Sequence, residues 1–449
     1  MCGGNVMSDS DRDLVMKFEE LVIKKPDYWD FKEAKKDHIH GIMTYPATMV
    51  PAMQSEILKI ILDNYPRIKT MLDPFMGSGT MLVEGISNGM EVFGIDINPL
   101  SYLLCDVKCT RKNLDDLIKD KKELFELIEL NEKHSKLKFK DLTKWYKSDV
   151  ATQLTNIHFC IKKISNLQHR RFFWICLAEV SRLSNNSRNS TFKLHIKSKE
   201  DLDNFSYDVE AQFKKIVEQN ILRIEEYQEV NNYVQSNHEI FLGDSYTILN
   251  EKFNDNSIDL VVTSPPYGDN QTTVTYGQFS VLPLRWIDRD DIVENLPLDL
   301  IEVNSRIDTL SLGGKKYNNE YIELSNILNK SDTLLNMYEA LLIDDENKAR
   351  KVASFLIDFY NTFSELVRVV KNDGFLILTV GNRRVANKEI FFNEVIKEFS
   401  EYLNVECIYE FDRNILCKRM PRKVSRLKDN KSVSSMSKEY ILILKKKGN

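Results

Sequence analysis

The pentapeptide Thr263-Ser264-Pro265-Pro266-Tyr267 has the residue types and spacing to hold a planar amino group. It follows the apolar run Ile258-Asp259-Leu260-Val261-Val262 and precedes Gly268-Asp269-Asn270. That places it at the carboxyl end of a buried strand, the edge at which open α/β sheets bind ligands. Two successive prolines fix φ and remove two backbone donors, so the carbonyls of Ser264 and Pro265 can point outward without competing amide hydrogens. A rigid acceptor pair suits an exocyclic NH2 group, and Tyr267 offers a ring face on which a base can stack. The same five residues are equally compatible with a strand that ends in a serine-capped proline turn, and a second motif upstream decides between the two.

That motif is Asp73-Pro74-Phe75-Met76-Gly77-Ser78-Gly79-Thr80, between a short strand at 69–73 and a helix from Met81 to about Asn88. Gly77 and Gly79 permit a tight turn and close backbone approach, and the helix start supplies free amide donors. A second strand, residues 91–96, closes on Asp96, 19 positions after Gly77. A glycine turn followed by an acid about 20 residues later is the layout that binds a nucleoside, with the acid on the ribose hydroxyls. No Gly-Lys-Ser/Thr and no third glycine in G-x-G-x-x-G register occurs. Neither a nucleoside triphosphate nor a dinucleotide is therefore favoured, which leaves a nucleoside carrying a small charged group.

Together, the two motifs resemble those of S-adenosylmethionine-dependent amino-methyltransferases acting on DNA, and the Ser-Pro-Pro-Tyr form resembles the cytosine-N4 group. The segment 40–47, with Tyr45 and Pro46, is similar to that family's additional methionine-binding motif. The resemblance covers roughly residues 38–104 and 238–447, which it implies form the catalytic core. It implies S-adenosylmethionine as cofactor, with Tyr45, Pro46, Asp73, Pro74, Phe75, Gly77, Ser78, Gly79, Thr80, Asp96, Asn98, Asp244 and Thr263 around it, Asp244 beside the adenine. It implies a catalytic group of Ser264, Pro265, Pro266 and Tyr267, a double-stranded DNA substrate with a flipped base, and a place in a restriction-modification system. No nuclease cluster can be assigned in this chain, so any cognate endonuclease is expected on another one. The alternative targets are adenine N6, where Asp or Asn usually replaces Ser264, and, from a different class, a non-catalytic nucleic-acid-binding module. Carbon-5 chemistry needs a Pro-Cys nucleophile, and no Pro-Cys pair occurs.

The elements that must position these residues follow an α/β pattern. Strand-like runs at 239–242, 258–262, 375–380, 405–411 and 440–444 alternate with helical ones at 355–370 and 389–402. The expected fold is a doubly wound, Rossmann-like methyltransferase sheet with an antiparallel last strand, plus helical insertions. A turn is expected at Asn372-Asp373-Gly374. Residues 1–37 read as an N-terminal extension without function, and 105–237 as a helical insertion and candidate DNA-recognition region. Residues 268–350 read as an insertion within the core that recognises substrate, with Gln271 to Gln278 as a loop over it. There the glycines at 313 and 314 mark a hinge or a plain surface turn.

The chain has 449 residues, 42% hydrophobic and 29% charged, as in ordinary soluble proteins. A net charge of -5 requires a nucleic-acid partner to be met by a local basic patch. Residues 418–431 carry seven Lys or Arg against one Asp. Phosphate contacts are accordingly expected at Lys418, Arg419, Arg422, Lys423 and Arg426, with Arg188 and Lys193 added from the insertion. Seven cysteines without a Cys-x-x-Cys pair suggest neither disulfides nor zinc, and His38 and His40, on an extended segment, lack a third ligand. No metal, no membrane span and a cytoplasmic, reducing location are expected.

Overall fold

The computed structural model describes residues 7–34, 38–132, 134–188, 191–231, 236–270, 273–415, 423–426, 432–434 and 437–448. Seven strands form one sheet: β1 (Thr70–Asp73), β2 (Glu91–Asp96), β3 (His238–Leu242), β4 (Ile258–Thr263), β5 (Val370–Val380), β6 (Val405–Asn414) and β7 (Lys438–Lys446). Their spatial order is β3-β2-β1-β4-β5-β7-β6. The first five are parallel, while β7 runs antiparallel between β5 and β6. The expected mixed sheet with an antiparallel last strand is the one observed.

Alternation along the strands explains why both faces are covered. Leu260, Val262, Phe375, Ile377, Ile441 and Ile443 point to one apolar layer, and Val261, Leu376, Leu378, Leu442 and Leu444 to the other. A period of two sends successive side chains to opposite faces, so continuous apolar runs are read out as a sheet buried twice. The first layer includes helix Pro51–Asn64 and, against expectation, the N-terminal segment. Helix Asp9–Lys24 docks there through Leu14 and Phe18, and Phe18 meets Trp29 and Phe411 at ring distances of 5.6 Å each. Asp11 receives Lys445 at 2.8 Å and the Tyr65 hydroxyl at 2.5 Å, which tethers the helix to β7. What reads as a polar extension has one apolar stripe, and the sheet supplies its partner. Residues 1–6 lie outside the described residues.

The second layer holds helices Ser245–Lys252, Glu346–Val369 and Phe392–Tyr402. A third apolar cluster is mostly helical. It joins Leu117, Leu124 and Ile128, the stripe Phe213, Val217, Ile221 and Ile224, and the buried Phe172, Phe173 and Trp174 to residues 279–307. Asp291 locks these parts together, taking Arg170 and the Trp174 indole at 2.8 Å each, and the Trp286 carbonyl is 2.9 Å from His158. Residues 268–350 therefore divide: their first part packs with the helices of 105–237, and Ile322, Leu334 and Leu341 pack on the second layer of the sheet.

Two further expectations are corrected. Asn372-Asp373-Gly374 lies inside β5 as a bulge, the register jumping from Ile258↔Val370 to Leu260↔Phe375 with Asp373 at φ 59°. His38 and His40 lie on a 3-10 turn, where His40 meets Glu84 at 3.0 Å and His38 meets Glu226 at 3.2 Å. Among the described residues, no helix is long and apolar enough to cross a membrane and no group of three potential ligands could hold a metal ion.

Candidate active site

Strand order fixes where the site must be. β1 connects outward to β2 on one side and pairs with β4 on the other, so a crevice opens between the carboxyl ends of β1 and β4. Asp73 ends β1 and Thr263 ends β4, and their side chains meet at 2.7 Å. Both are fully buried beneath the crevice, so they join the two halves of its floor rather than line it. Burial pushes the Asp73 carboxyl up to about 7, against the Thr263 hydroxyl and the Phe75 amide that donate to it.

The glycine loop rises from that floor. The Met76 amide is stapled to the Ile95 carbonyl at 3.1 Å, and Gly77 and Gly79 take left-handed φ of 49° and 73°. Such angles suit glycine, and a Cβ on Gly79 would stand 2.9 Å from the Cys105 sulfur. Helix Pro99–Cys109 holds the loop from behind: Ser101 donates to the Gly77 carbonyl at 2.5 Å, and buried Lys108 to the Ser78 carbonyl at 2.8 Å. Helix Thr80–Ser87 begins where the loop ends.

Asp96, at the end of β2, accepts from the Gly77 amide at 2.9 Å and the Asn98 amide at 2.8 Å. Burial raises its pKa, and these backbone bonds oppose the rise. Asn98 caps the following helix through Oδ1, and its Nδ2 donates to the Tyr45 hydroxyl at 2.9 Å and to Ser280 at 2.8 Å. Tyr45 in turn packs on Tyr276 and Phe279, with centroids at 6.0 and 5.8 Å. Asp244 caps helix Ser245–Lys252 by accepting from the Thr247 amide, and Ser245 reaches the Pro74 carbonyl at 2.6 Å.

Beyond β4, the Ser264 hydroxyl lies 3.2 Å from that of Tyr267, which donates to Glu439 at 3.1 Å; Glu439 also takes Arg413 at 2.8 Å. The sheet's antiparallel edge thereby fixes the proline motif. Burial, and then the charge of Glu439, raise the Tyr267 phenol far above its ordinary range, so it stays protonated.

One pocket gathers most of the predicted residues. Tyr45, Pro46, Phe75, Gly77, Ser78, Thr80, Asp96, Asn98, Asp244, Ser264 and Pro266 line it. Pro74, Gly79 and Pro265 shape its loops without lining it, and half-buried Tyr267 packs toward the second apolar layer. Sequence reasoning missed Thr48, Met49, Ile97, Asn270, Tyr276, Ile307, Leu310, Ser311 and Leu312. Ile307, Leu310 and Leu312 come from a strap along the pocket wall, 40 to 50 residues past the proline motif. Asp308 pins one end by accepting from the Gly277 amide at 3.2 Å; burial raises its carboxyl to about 6. Gly313, at φ 67° and hard against Phe355, pins the other by donating to Asp358 at 2.9 Å. The glycine pair is thus a buried joint rather than a surface turn. The apolar spacing before Leu312-Gly313-Gly314 is the one signal for it in the sequence.

Arg188 is exposed, and Lys193 half-buried, in a connection whose Phe192 rests on Phe279 at 5.8 Å and whose Leu194 amide donates to Gln278 at 3.2 Å. This brings Lys193 beside helix Tyr276–Leu284, while Arg188 lies farther along the same connection, its amide donating to the His195 carbonyl at 2.8 Å. Lys418, Arg419 and Arg422 lie outside the described residues, as do Gln271 and Thr272 of the expected substrate loop. Lys423 and Arg426 lie on a strand paired antiparallel with Ser432–Ser434.

An acid at the end of β2, a glycine loop with two left-handed residues, apolar walls and a proline-rigidified acceptor motif thus meet at one pocket of an α/β fold. Residues 53–283 match the model of the D12 class N6 adenine-specific DNA methyltransferase family. Over an alignment of 454 residues, spanning 98% of both chains, the protein is 34% identical to type II methyltransferase M.MvaI of Kocuria varians. It is 24% identical over 266 residues to type II methyltransferase M.BsoBI of Geobacillus stearothermophilus, covering 53% of this chain and 51% of the relative. A shorter likeness, 34% over 105 residues, links 23% of it to 18% of type II methyltransferase M.MjaII of Methanocaldococcus jannaschii. The chain belongs to the D12 class family of DNA methyltransferases.

Proposed function

We propose that this protein transfers a methyl group from S-adenosylmethionine to the exocyclic N4 of a cytosine flipped out of duplex DNA. The observation that carries the reading is that Ser264, its hydroxyl tethered to Tyr267, opens onto the same pocket as Asp96 and the glycine loop. S-adenosylmethionine, when bound, supplies an electrophilic sulfonium methyl. Its ribose diol suits the Asp96 carboxylate, and Phe75, Ile97 and Leu312 offer apolar faces for its adenine. Tyr45, Pro46, Thr48 and Ser78 stand at the methionine end.

A cytosine amino group is a poor nucleophile because its lone pair is delocalised into the ring. Ser264 Oγ and the Pro265 carbonyl accept its two hydrogens as the nitrogen becomes tetrahedral, which localises the lone pair toward the methyl. These bonds strengthen as positive charge develops on nitrogen, so they favour the transition state over the bound base. The surplus proton then leaves to water. Tyr267, neutral at all relevant pH, borders the base site and holds Ser264 in place. Base flipping costs a few kcal/mol, and stacking worth about 1–3 kcal/mol offsets part of it.

The helical layer of residues 105–237, with 268–350, is the proposed DNA-recognition region, and Arg188 and Lys193 are its phosphate contacts. The type II designation of the relatives supports a cognate endonuclease on a separate chain. A second reading, methylation of adenine N6, is favoured by the description of the matching family model. Mass spectrometry of nucleosides from DNA treated with enzyme and labelled cofactor separates the two. Label in N4-methylcytosine is expected, label in N6-methyladenine would establish the second reading, and label in neither would sink both.

A further inference from the structure

Six residues after Ser264, the chain presents a buried amide with an unused acceptor. Asn270 is 4% exposed and lines the pocket with Ser264 and Pro266, yet its Oδ1 has no hydrogen-bond partner. The turn that carries it is firmly held. Asp269 pairs with Arg383 at 3.2 Å, the Arg383 guanidinium occupies the space a Cβ on Gly268 would need, and Thr273 returns its amide and hydroxyl to the Asp269 carbonyl at 3.2 and 2.9 Å. Leaving a buried acceptor unpaired is unfavourable, and such groups persist where a ligand supplies the donor.

Donor accounting identifies the ligand. On the methyltransferase reading, two molecules share this pocket. The target amino group has two hydrogens, and Ser264 and Pro265 accept both; a cytosine ring in DNA has no other N–H. The remaining donors belong to the cofactor: its adenine amino group, its ribose hydroxyls and its α-ammonium. Ribose goes to Asp96 on β2 and adenine to the side of Asp244, which follows β3. Asn270 lies beyond β4 on a turn whose Asp269 Cβ is 3.3 Å from where a Cβ on Gly313, beside Leu312, would stand, and it lines the pocket with Ser264 and Pro266. We propose that Asn270 is a cofactor-positioning residue whose side-chain oxygen accepts a hydrogen bond from an amino group of S-adenosylmethionine, the α-ammonium or the adenine amine. The proposal rests on the methyltransferase reading but not on which base is methylated.

Calorimetric titration of the full chain with two nucleosides tests it: S-adenosylhomocysteine, which keeps the α-ammonium, and 5′-methylthioadenosine, which lacks the amino-acid group. Asn270→Ala is expected to weaken S-adenosylhomocysteine about 10- to 100-fold, as for a lost hydrogen bond to a charged group, and the response of 5′-methylthioadenosine tells the two donors apart: unchanged for the α-ammonium, weakened for the adenine amine. Asn270→Leu keeps the volume without the acceptor and is expected to do the same, so the test survives if the alanine variant does not fold. Asn270→Asp, which keeps an acceptor oxygen, is expected to recover part of the loss. Equal weakening of both nucleosides, with partial recovery in Asn270→Asp, would assign the bond to the adenine amine, and weakening of neither would overturn the proposal. A wild-type protein that binds neither nucleoside would instead overturn the cofactor reading itself.

Discussion

Asp73, at the carboxyl end of β1, forms no ion pair among the described residues. Its Oδ1 receives the Thr263 hydroxyl and the Phe75 amide, while its Oδ2 is buried without a partner. Burial dominates, and the group titrates near 7 in place of 3.8. An acid whose pKa is raised on folding binds more protons in the native state throughout that window, so stability must fall as pH climbs from about 4 to about 7. The slope is at most about 1.4 kcal/mol per pH unit for one such group. Asp308, raised to about 6, adds to it with the same sign. Asp73→Asn preserves the Thr263 contact and removes the charge, so its urea-unfolding free energy should change less between pH 5 and pH 8 than that of the wild type. Parallel pH profiles for the two proteins would exclude Asp73 as the source.

Among elements, the strap at 307–312 matters most, because it brings apolar side chains from a distant segment into the lining of the pocket. Its two pins come from different parts of the molecule, Gly277 from the helical cluster and Asp358 from helix Glu346–Val369. Leu310 and Leu312 lie outside the sequence motifs, yet both line the pocket with them. Leu310→Asp should weaken S-adenosylhomocysteine by about 1.5–3 kcal/mol, the transfer free energy of a leucine side chain, without lowering the melting temperature much, since Leu310 is only partly buried. Titration calorimetry reads this directly. Unchanged affinity would show that the strap stands clear of the cofactor.

For the whole molecule, the question is how an acidic protein holds a polyanion. Its net charge of -5 is unevenly spread, with seven cations between residues 418 and 431 and Arg188 and Lys193 in the helical insertion. Each phosphate contact releases condensed counterions, so the logarithm of affinity falls with the logarithm of salt by about 0.9 per contact. Replacing Arg422, Lys423 and Arg426 with serine should therefore weaken binding to every duplex and flatten that slope by up to about 2.7. Fluorescence anisotropy across a salt series measures it, and an unaltered slope would assign those cations to solvent.

How much of this was legible beforehand depended on the range of the physics involved. Motif residues lie within one strand-turn-helix unit, so Asp96, the glycine loop and Ser264-Pro265-Pro266 could be placed at a sheet edge from local pattern alone, and the sheet with its antiparallel strand followed from alternation. The docking of helix Asp9–Lys24 onto β7 was not legible, because an amphipathic stripe does not specify its partner. The Asn372-Asp373-Gly374 bulge was hidden because strand pairing on both sides overrode a strong turn signal. Asp73 and Thr263 read as ligand contacts, yet the tertiary structure turned them toward each other, since only the packing of β1 beside β4 decides which way a strand-end side chain points. The strap, Asn270 and Tyr276 belong to the same class: their roles arise from contacts between segments distant in the chain. Sequence by itself determined the chemistry available and the edge of the sheet where it gathers. Folding in three dimensions decided which of those groups meet the pocket, because burial and pairing across strands are properties of the assembled sheet and not of any local stretch.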